Sequence, residues 1–475
     1  MVKTKKLFKR GKKTKKRLGN SKIQITKKKR KNLNKYKIYK GGSILSELLL
    51  ILETHNMSNS SKYITENVFL IKTLEKTNFS DLLKILIKEL LIKTDNNSSQ
   101  VDYMILNILT LLYNQTKTDP PYYVSHALDH SIRVTNKMFE LLKNIPELNT
   151  NMQNKYTEAN INLLILFAGL LHDVGYSDLV YCLNGDMKEI HNGICGVNKG
   201  IPPSKKFLHS VSSKFMTEQT FALDMLFDNT TIKYLLDSIK EHNFDVNSCD
   251  NKPEPISCYF KPTEQAHSFY IKPADGDNGV IHREYIEADI IEKPLLFALR
   301  IADNLDFEYL RLTNVQQDEN LMLVQKSIFM NSEITNIQDP KKEGVLKTEI
   351  ERLLPSVPLD KYNTDDQEIM MIIIKSLKKN EFLYNYSNWI VEKAELIKNE
   401  KGIQMRVKFR NVENFELSAQ NETNYAPSVY QITRCAESFS SLKFNSNILT
   451  DLITVQLIYA DGTIVEKKLE YFIEV

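Results

Sequence analysis

Hydrophobic positions recur at helical spacing along most of this chain and change to alternation only near its end. Leu82, Leu83, Leu86, Ile87, Leu90 and Leu91 follow the capping candidate Ser80 at steps of three and four, the pattern of an amphipathic helix. Met104 to Tyr113 and Ile132 to Leu142 keep the same period, and the stretch from about 119 to 315 reads almost throughout as helices joined by loops. Asp365 to Leu377 and Tyr384 to Ile397 are the clearest helices of the segment after it. Then the period becomes two. Ile403, Met405, Val407 and Phe409 alternate with polar neighbours, as do Val455, Leu457 and Tyr459, which predicts half-buried strands. Asp461-Gly462 gives a two-residue hairpin signal ahead of the alternating Leu469, Tyr471, Ile473 and Val475. The chain is therefore expected to be mainly α, with a helical core and a small C-terminal β-rich module. Its expected parts are a basic, disordered tail (1–42), a helical segment (43–118), a helical core (119–315), a helical extension (316–400) and the β module (401–475).

Composition adds limits. The 475 residues are 42% hydrophobic, as in a globular protein. The longest apolar runs, Ile161 to Leu171 and Ser43 to Leu52, reach roughly half of the ~20 residues that cross a bilayer, so no membrane span is expected. Cys182, Cys195, Cys249, Cys258 and Cys435 show no CxxC spacing, which suggests reduced thiols in a cytosolic setting. The net charge of +4 conceals an asymmetry. Residues 1–40 hold 19 of the 63 Lys and Arg and no acid, leaving 44 basic against 59 acidic side chains, a net −15, in the remainder. The tail reads either as a tether to nucleic acid or another anionic surface, or a nuclear address, or as a solubilising extension without a ligand.

Several polar residues fall on apolar helical stripes, where burial is costly without a partner. His172 and Asp173, in LLHDVGYSD, stand behind the apolar run that starts at Leu163. His130 leads a helix whose Ile132, Met138, Phe139 and Leu142 face inward. His242 shares a stripe with Leu235 and Ile239, Asp303 shares one with Leu296 and Leu299, and His209 opens the segment HSVSSKFM after a loop at Gly200 to Ser204. One buried histidine is an ordinary hydrogen-bonded core residue, but an inward aspartate needs a cation or several donors. A shared metal serves all of them: imidazole with carboxylate suits iron, manganese, zinc, nickel, cobalt or magnesium. Adjacent His172 and Asp173 can turn to one centre at a helix end, where Gly175 supplies the termination.

The order His130, His172-Asp173, Asp303, with HSIRV, LLHDVGY and ALRIADNLD around them, resembles the H…HD…D signature of the HD superfamily of metal-dependent phosphohydrolases. The resemblance covers roughly residues 119 to 315. It implies an HD-type helical core with the metal at its centre and hydrolysis of a phosphoester by a metal-activated water. His130, His172, Asp173 and Asp303 match the metal ligands. His209 and His242 match the pair that adds a second divalent ion in some subfamilies, with Asp173 bridging, although His191 competes with His209. His126 is similar to the histidine with which cyclic-nucleotide phosphodiesterases protonate the leaving oxygen; its other reading is a surface loop residue. Asp306 could orient a ligand or face solvent, and Arg133 and Arg300, beside these residues, are expected to contact substrate phosphate or to be helix-surface arginines.

The chain departs from particular subfamilies. Val-Gly-Tyr-Ser after the doublet and Glu-His-Asn around His242 are not the motifs of the cyclic-dinucleotide phosphodiesterases, and the Gly-His of deoxynucleotide triphosphohydrolases is missing. The same ligand order also resembles di-iron oxygenases of the myo-inositol oxygenase type, and a non-catalytic HD scaffold with a binding tail is the third reading. The expected substrate is a phosphorylated small molecule, such as a nucleotide, in a pocket shaped by Asn184 to Lys206 and Asn251 to Gly279. The Lys-, Asn- and Ile-rich composition resembles proteins of AT-rich genomes, large DNA viruses and protists among them. The expected location is the cytoplasm, with nucleus or virion as alternatives.

Overall fold

The computed structural model describes residues 43–74, 77, 79–116, 128–176, 179–181, 187–189, 202–243, 287–312, 316–330, 348, 350–352, 373, 381–411 and 430–472. The basic tail, His126, His191, nearly all of Asp365 to Leu377 and the segment Asn251 to Gly279 lie outside these residues.

The helices follow the apolar period. In chain order they are α1 (Ser43–Thr54), α2 (Ser58–Glu66), α3 (Val68–Leu74), α4 (Phe79–Lys93), α5 (Ser98–Thr116), α6 (Leu128–Asn144), α7 (Pro146–Lys155), α8 (Glu158–Leu171), α9 (Pro202–Thr220), α10 (Asn229–Glu241), α11 (Pro294–Asn304), α12 (Glu319–Met330), α13 (Glu381–Ile390), α14 (Tyr430–Phe439) and α15 (Leu449–Leu452). Helix α8 is the axis. Thr157 caps it by accepting from the Asn160 N–H, and every residue from Leu163 to Leu171 is buried. A helix apolar all round must be covered all round, and α4, α5, α6, α7, α10 and α11 pack against it. Together with the turn after it, this stretch is long and apolar enough to span a bilayer by length and composition, but 78% of it is buried inside the fold.

Glycine sets one of these contacts. A Cβ on Gly169 of α8 would lie 2.4 Å from Thr135 Oγ1 and 2.8 Å from Thr135 Cα. The missing side chain lets α6 and α8 meet backbone to side chain, which draws His130 and the end of α8 together.

The C-terminal sheet runs β4 (Val391–Asn399), β5 (Gly402–Phe409), β8 (Ile453–Ile458), β9 (Ile464–Lys468), in that spatial order. The outer pairs are antiparallel and β5–β8 is parallel, with Ile403 opposite Ile453 and Met405 opposite Val455. Ile403, Met405, Val407, Phe409, Val455 and Leu457 are all buried, as their alternation predicts. A second sheet pairs β3 (Ala288–Asp289) in parallel with β6 (Leu442–Phe444), which pairs with β7 (Asn447–Ile448). It ties residues just ahead of α11 to the C-terminal module.

Several expectations change. Tyr384 to Ile397 is not one helix: α13 ends at Ile390 and β4 starts at Val391. Val391, Ala394 and Leu396 suit either a helical stripe or a strand, and the eight-pair ladder with β5 decides for the strand. Strand structure thus begins inside the expected helical extension, and a short hairpin, β1 (Leu179–Tyr181) with β2 (Met187–Glu189), interrupts the helical core. The hairpin at Asp461-Gly462 has a three-residue loop, not two: Gly462 takes φ +86° and Tyr459 pairs with Thr463. Leu469 to Phe472 then forms a 3-10 turn in place of a strand, burying Leu469 and Phe472 while Tyr471 stays exposed.

Candidate metal centre

Five helices and the turns at their ends bring six side chains together. His130 comes from α6, His172 and Asp173 from the end of α8, His209 from α9, His242 from the end of α10 and Asp303 from α11. His209 does not open its helix. Pro202 does, its fixed φ suiting a first turn, so His209 sits two turns in and faces the 3-10 turn Val174–Tyr176. At the end of α8 the chain tightens into that turn, with the Tyr176 N–H donating to the Asp173 carbonyl. Gly175 does not stop the helix by adopting positive φ; its N–H donates to Ser213 Oγ of α9 at 2.8 Å, pinning the doublet against the helix of His209.

The donor atoms form two clusters that share Asp173, and a third group, His172, His242 and Asp303, links them. In the first, His130 Nε2 lies 3.3 Å from His172 Nε2, 3.3 Å from Asp173 Oδ2 and 3.2 Å from Asp303 Oδ1. His172 Nε2 is 3.4 Å from Asp173 Oδ2 and 3.8 Å from Asp303 Oδ1. In the second, His209 Nε2 is 3.3 Å from His242 Nε2, and these two lie 3.2 and 3.6 Å from Asp173 Oδ1. Ligands about 2.1 Å from a common ion stand about 3.0 to 3.4 Å apart in octahedral or tetrahedral geometry. The observed separations are those of ligands grouped round an ion and slightly relaxed outward. The residues present therefore fit a metal ion.

Orientation strengthens this. His172 Nδ1–H donates to the Gly169 carbonyl at 2.9 Å, and His242 Nδ1–H donates to the Ile239 carbonyl at 2.6 Å. A carbonyl can only accept, so Nδ1 carries the proton and Nε2 is left to face the centre. His130 Nδ1–H donates to Asp306 Oδ2 at 2.7 Å. Asp306, fully buried, also accepts from Arg133 Nε at 2.9 Å. It orients His130 and does not face solvent.

The charges are coupled. Burial disfavours ionised His130 and His172, as does Arg311 beside His130, but the surrounding carboxylates outweigh both and push His130 up to about 9 and His172 up to about 10. Burial also works against ionised Asp173 and Asp303, yet the facing imidazoles hold both well below the usual carboxylate range. This is a pocket that demands positive charge, from protons when metal is absent and from an ion when it is present.

The two arginines expected to meet substrate are occupied otherwise. Arg133 binds the Asp306 and Asp129 carboxylates and the Leu310 carbonyl. Arg300, fully buried, donates to the Glu241 carbonyl at 2.7 Å and to Ser441 Oγ at 2.9 Å. It clamps the end of α10 and the C-terminal module to α11. Both positions lie beside ligands, as their sequence neighbours suggest, but the side chains serve as struts.

Sequence reasoning missed other residues. Arg311 donates to the Asp306 carbonyl at 2.9 Å, and Tyr176 stacks on His209 with ring centroids 4.2 Å apart. Asn243 brings its side-chain amide to 3.4 Å from His209 Nε2. Tyr176 and Asn243 follow ligands closely in sequence, and that proximity was the one available signal. His126 and His191 lie outside the described residues. No family model, curated protein or solved structure matches the chain.

Proposed function

We propose that the centre holds two divalent cations and that the protein is a hydrolase of phosphoester bonds in a small molecule such as a nucleotide, as the HD superfamily it resembles would have it. One observation carries this reading: Asp173 gives one carboxylate oxygen to each histidine pair, Oδ2 towards His130 and His172 and Oδ1 towards His209 and His242. A single metal has no use for the second pair. A pair of cations in such a site supplies Lewis acidity to the phosphoryl oxygens and acidifies a water towards neutrality.

The chain's own residues supply preorganisation. The carbonyls of Gly169 and Ile239 and the Asp306 carboxylate fix three imidazoles before substrate arrives. Asp303, its side chain 24% exposed, is the ligand most open to solvent, and the substrate approaches on that side. His126 is the group proposed to protonate the leaving oxygen.

Elemental analysis of purified protein, followed by phosphoester assays with the metal found, tests this. Two equivalents of metal, with phosphate released by the wild type and not by Asp173→Asn, support it. Metal-free protein overturns it. Bound di-iron with oxygen consumption and no phosphoester turnover would move the protein to the oxygenase class.

A further inference from the structure

Among the described residues the second cluster has one protein ligand fewer than the first. The first gathers His130, His172 and Asp173, with Asp303 Oδ1 3.2 Å from His130 Nε2, whereas the second gathers His209, His242 and the other oxygen of Asp173; Asp303 also groups with His172 and His242. Asn243 stands beside His209 of this second cluster. It follows His242 directly past the end of α10 and is half-buried. Its amide lies 3.4 Å from His209 Nε2, within the 3.2 to 3.8 Å that separates ligand atoms of the centre from one another.

The two ends of an asparagine amide have the same shape and exchange by a half-turn of the side chain. With nitrogen inward, the amide donates to the His209 lone pair that a cation needs. With oxygen inward, it presents a neutral donor at ligand spacing. A cation among His209, His242 and Asp173 repels the first arrangement and attracts the second.

We propose that Asn243 is the fourth protein ligand of the second cation, binding through its side-chain oxygen. The inference rests on the two-cation reading above. It makes the centre equal in ligand number but unequal in charge: the first cation has Asp303, whereas the second has a neutral amide in its place. The second cation is consequently the less neutralised, the more weakly held and the stronger Lewis acid.

The test is titration of the full chain with Mn²⁺ or Co²⁺ alone, with bound metal counted after desalting. In the wild type two ions bind, the second more weakly. In Asn243→Leu the first is retained and the second weakens at least about tenfold, in the range lost when a metal site's supporting groups are removed. In Asn243→Asp the second ion binds at least as tightly as in the wild type, since a carboxylate oxygen replaces the amide oxygen at the same reach. Wild-type affinity for both ions in Asn243→Leu overturns the assignment while leaving the two-cation hydrolase standing. So does Asn243→Asp weakening the second ion, which would mark the amide as a hydrogen-bond donor to His209. A wild type that binds only one ion, or none, overturns this assignment together with the two-cation reading. Circular dichroism melts report whether each variant folds, and Asn243→Asp decides alone if Asn243→Leu does not.

Discussion

The two halves of the centre are supported differently. Behind His130 stands a buried network in which Asp306 is held by Arg133 and its own carbonyl by Arg311, while Arg133 also meets Asp129. Behind His209 and His242 the described residues offer a carbonyl, a stacked tyrosine and an amide. The first half is braced by ionic groups in a low-dielectric interior, where each depends on the others. The described contacts behind the second are neutral and come from helix ends. Geometry of the first half should thus persist without metal, and the second should depend on metal for its shape.

The largest test of that contrast is Asp173→Asn, which touches both halves. It should abolish metal at both clusters and lower turnover by more than the roughly 10- to 100-fold that outer partners cost, as shown by metal analysis and steady-state assay. Asp306→Ala should come next. It leaves Arg133 without its main partner, so it should destabilise the fold by about 3–5 kcal/mol in denaturant melts, and it should weaken metal at the first cluster while sparing the second. Gly169→Ala overpacks α8 against Thr135 and should cost about 1–3 kcal/mol, with reduced metal affinity at the first cluster. Gly402→Ala is its control: it has open space round it but φ +118°, so it should cost about 1–3 kcal/mol through backbone strain alone and leave metal binding unchanged.

The smallest effect is one of pH. His130 and His172, raised from 6.5 to about 9 and about 10, stabilise the metal-free protein fully below 6.5, and this contribution is lost as pH rises through 9 to 10. Asp173 and Asp303, held low, act in the opposite sense, and their contribution goes only in acid. Metal-free protein should therefore melt lower at pH 10 than at pH 6.5 by a wider margin than metal-loaded protein does. Scanning calorimetry of the two forms reads the difference.

Much of the architecture was legible because it rests on periodicity. The stripes that identify α4 and α6 are long and unambiguous, and alternation in β5 and β8 has one interpretation. Polar residues on apolar stripes pointed to the centre for the same reason: burial makes them expensive unless they share a partner. Ambiguity arose where a pattern fits two structures. Val391 to Ile397 reads as helix or strand until β5 lies beside it. Side-chain direction was also hidden, so Arg133 and Arg300 could not be told from substrate contacts. Gly169 is a spacing between two helices, which no single helix's sequence displays.

The pairing of β3 with β6 sets the order in which the protein can become functional during synthesis. Ala288 and Ile290 bond to Ser441 and Lys443, and Arg300 reaches Ser441, so the helix carrying Asp303 is secured by residues far downstream. A nascent chain that has emerged only as far as residue 411 holds every histidine of the centre but lacks the C-terminal part of the clamp on α11. The centre should therefore mature late, after the last strands have emerged, and a chain ended early would make a helical core in which Asp303 is less firmly held.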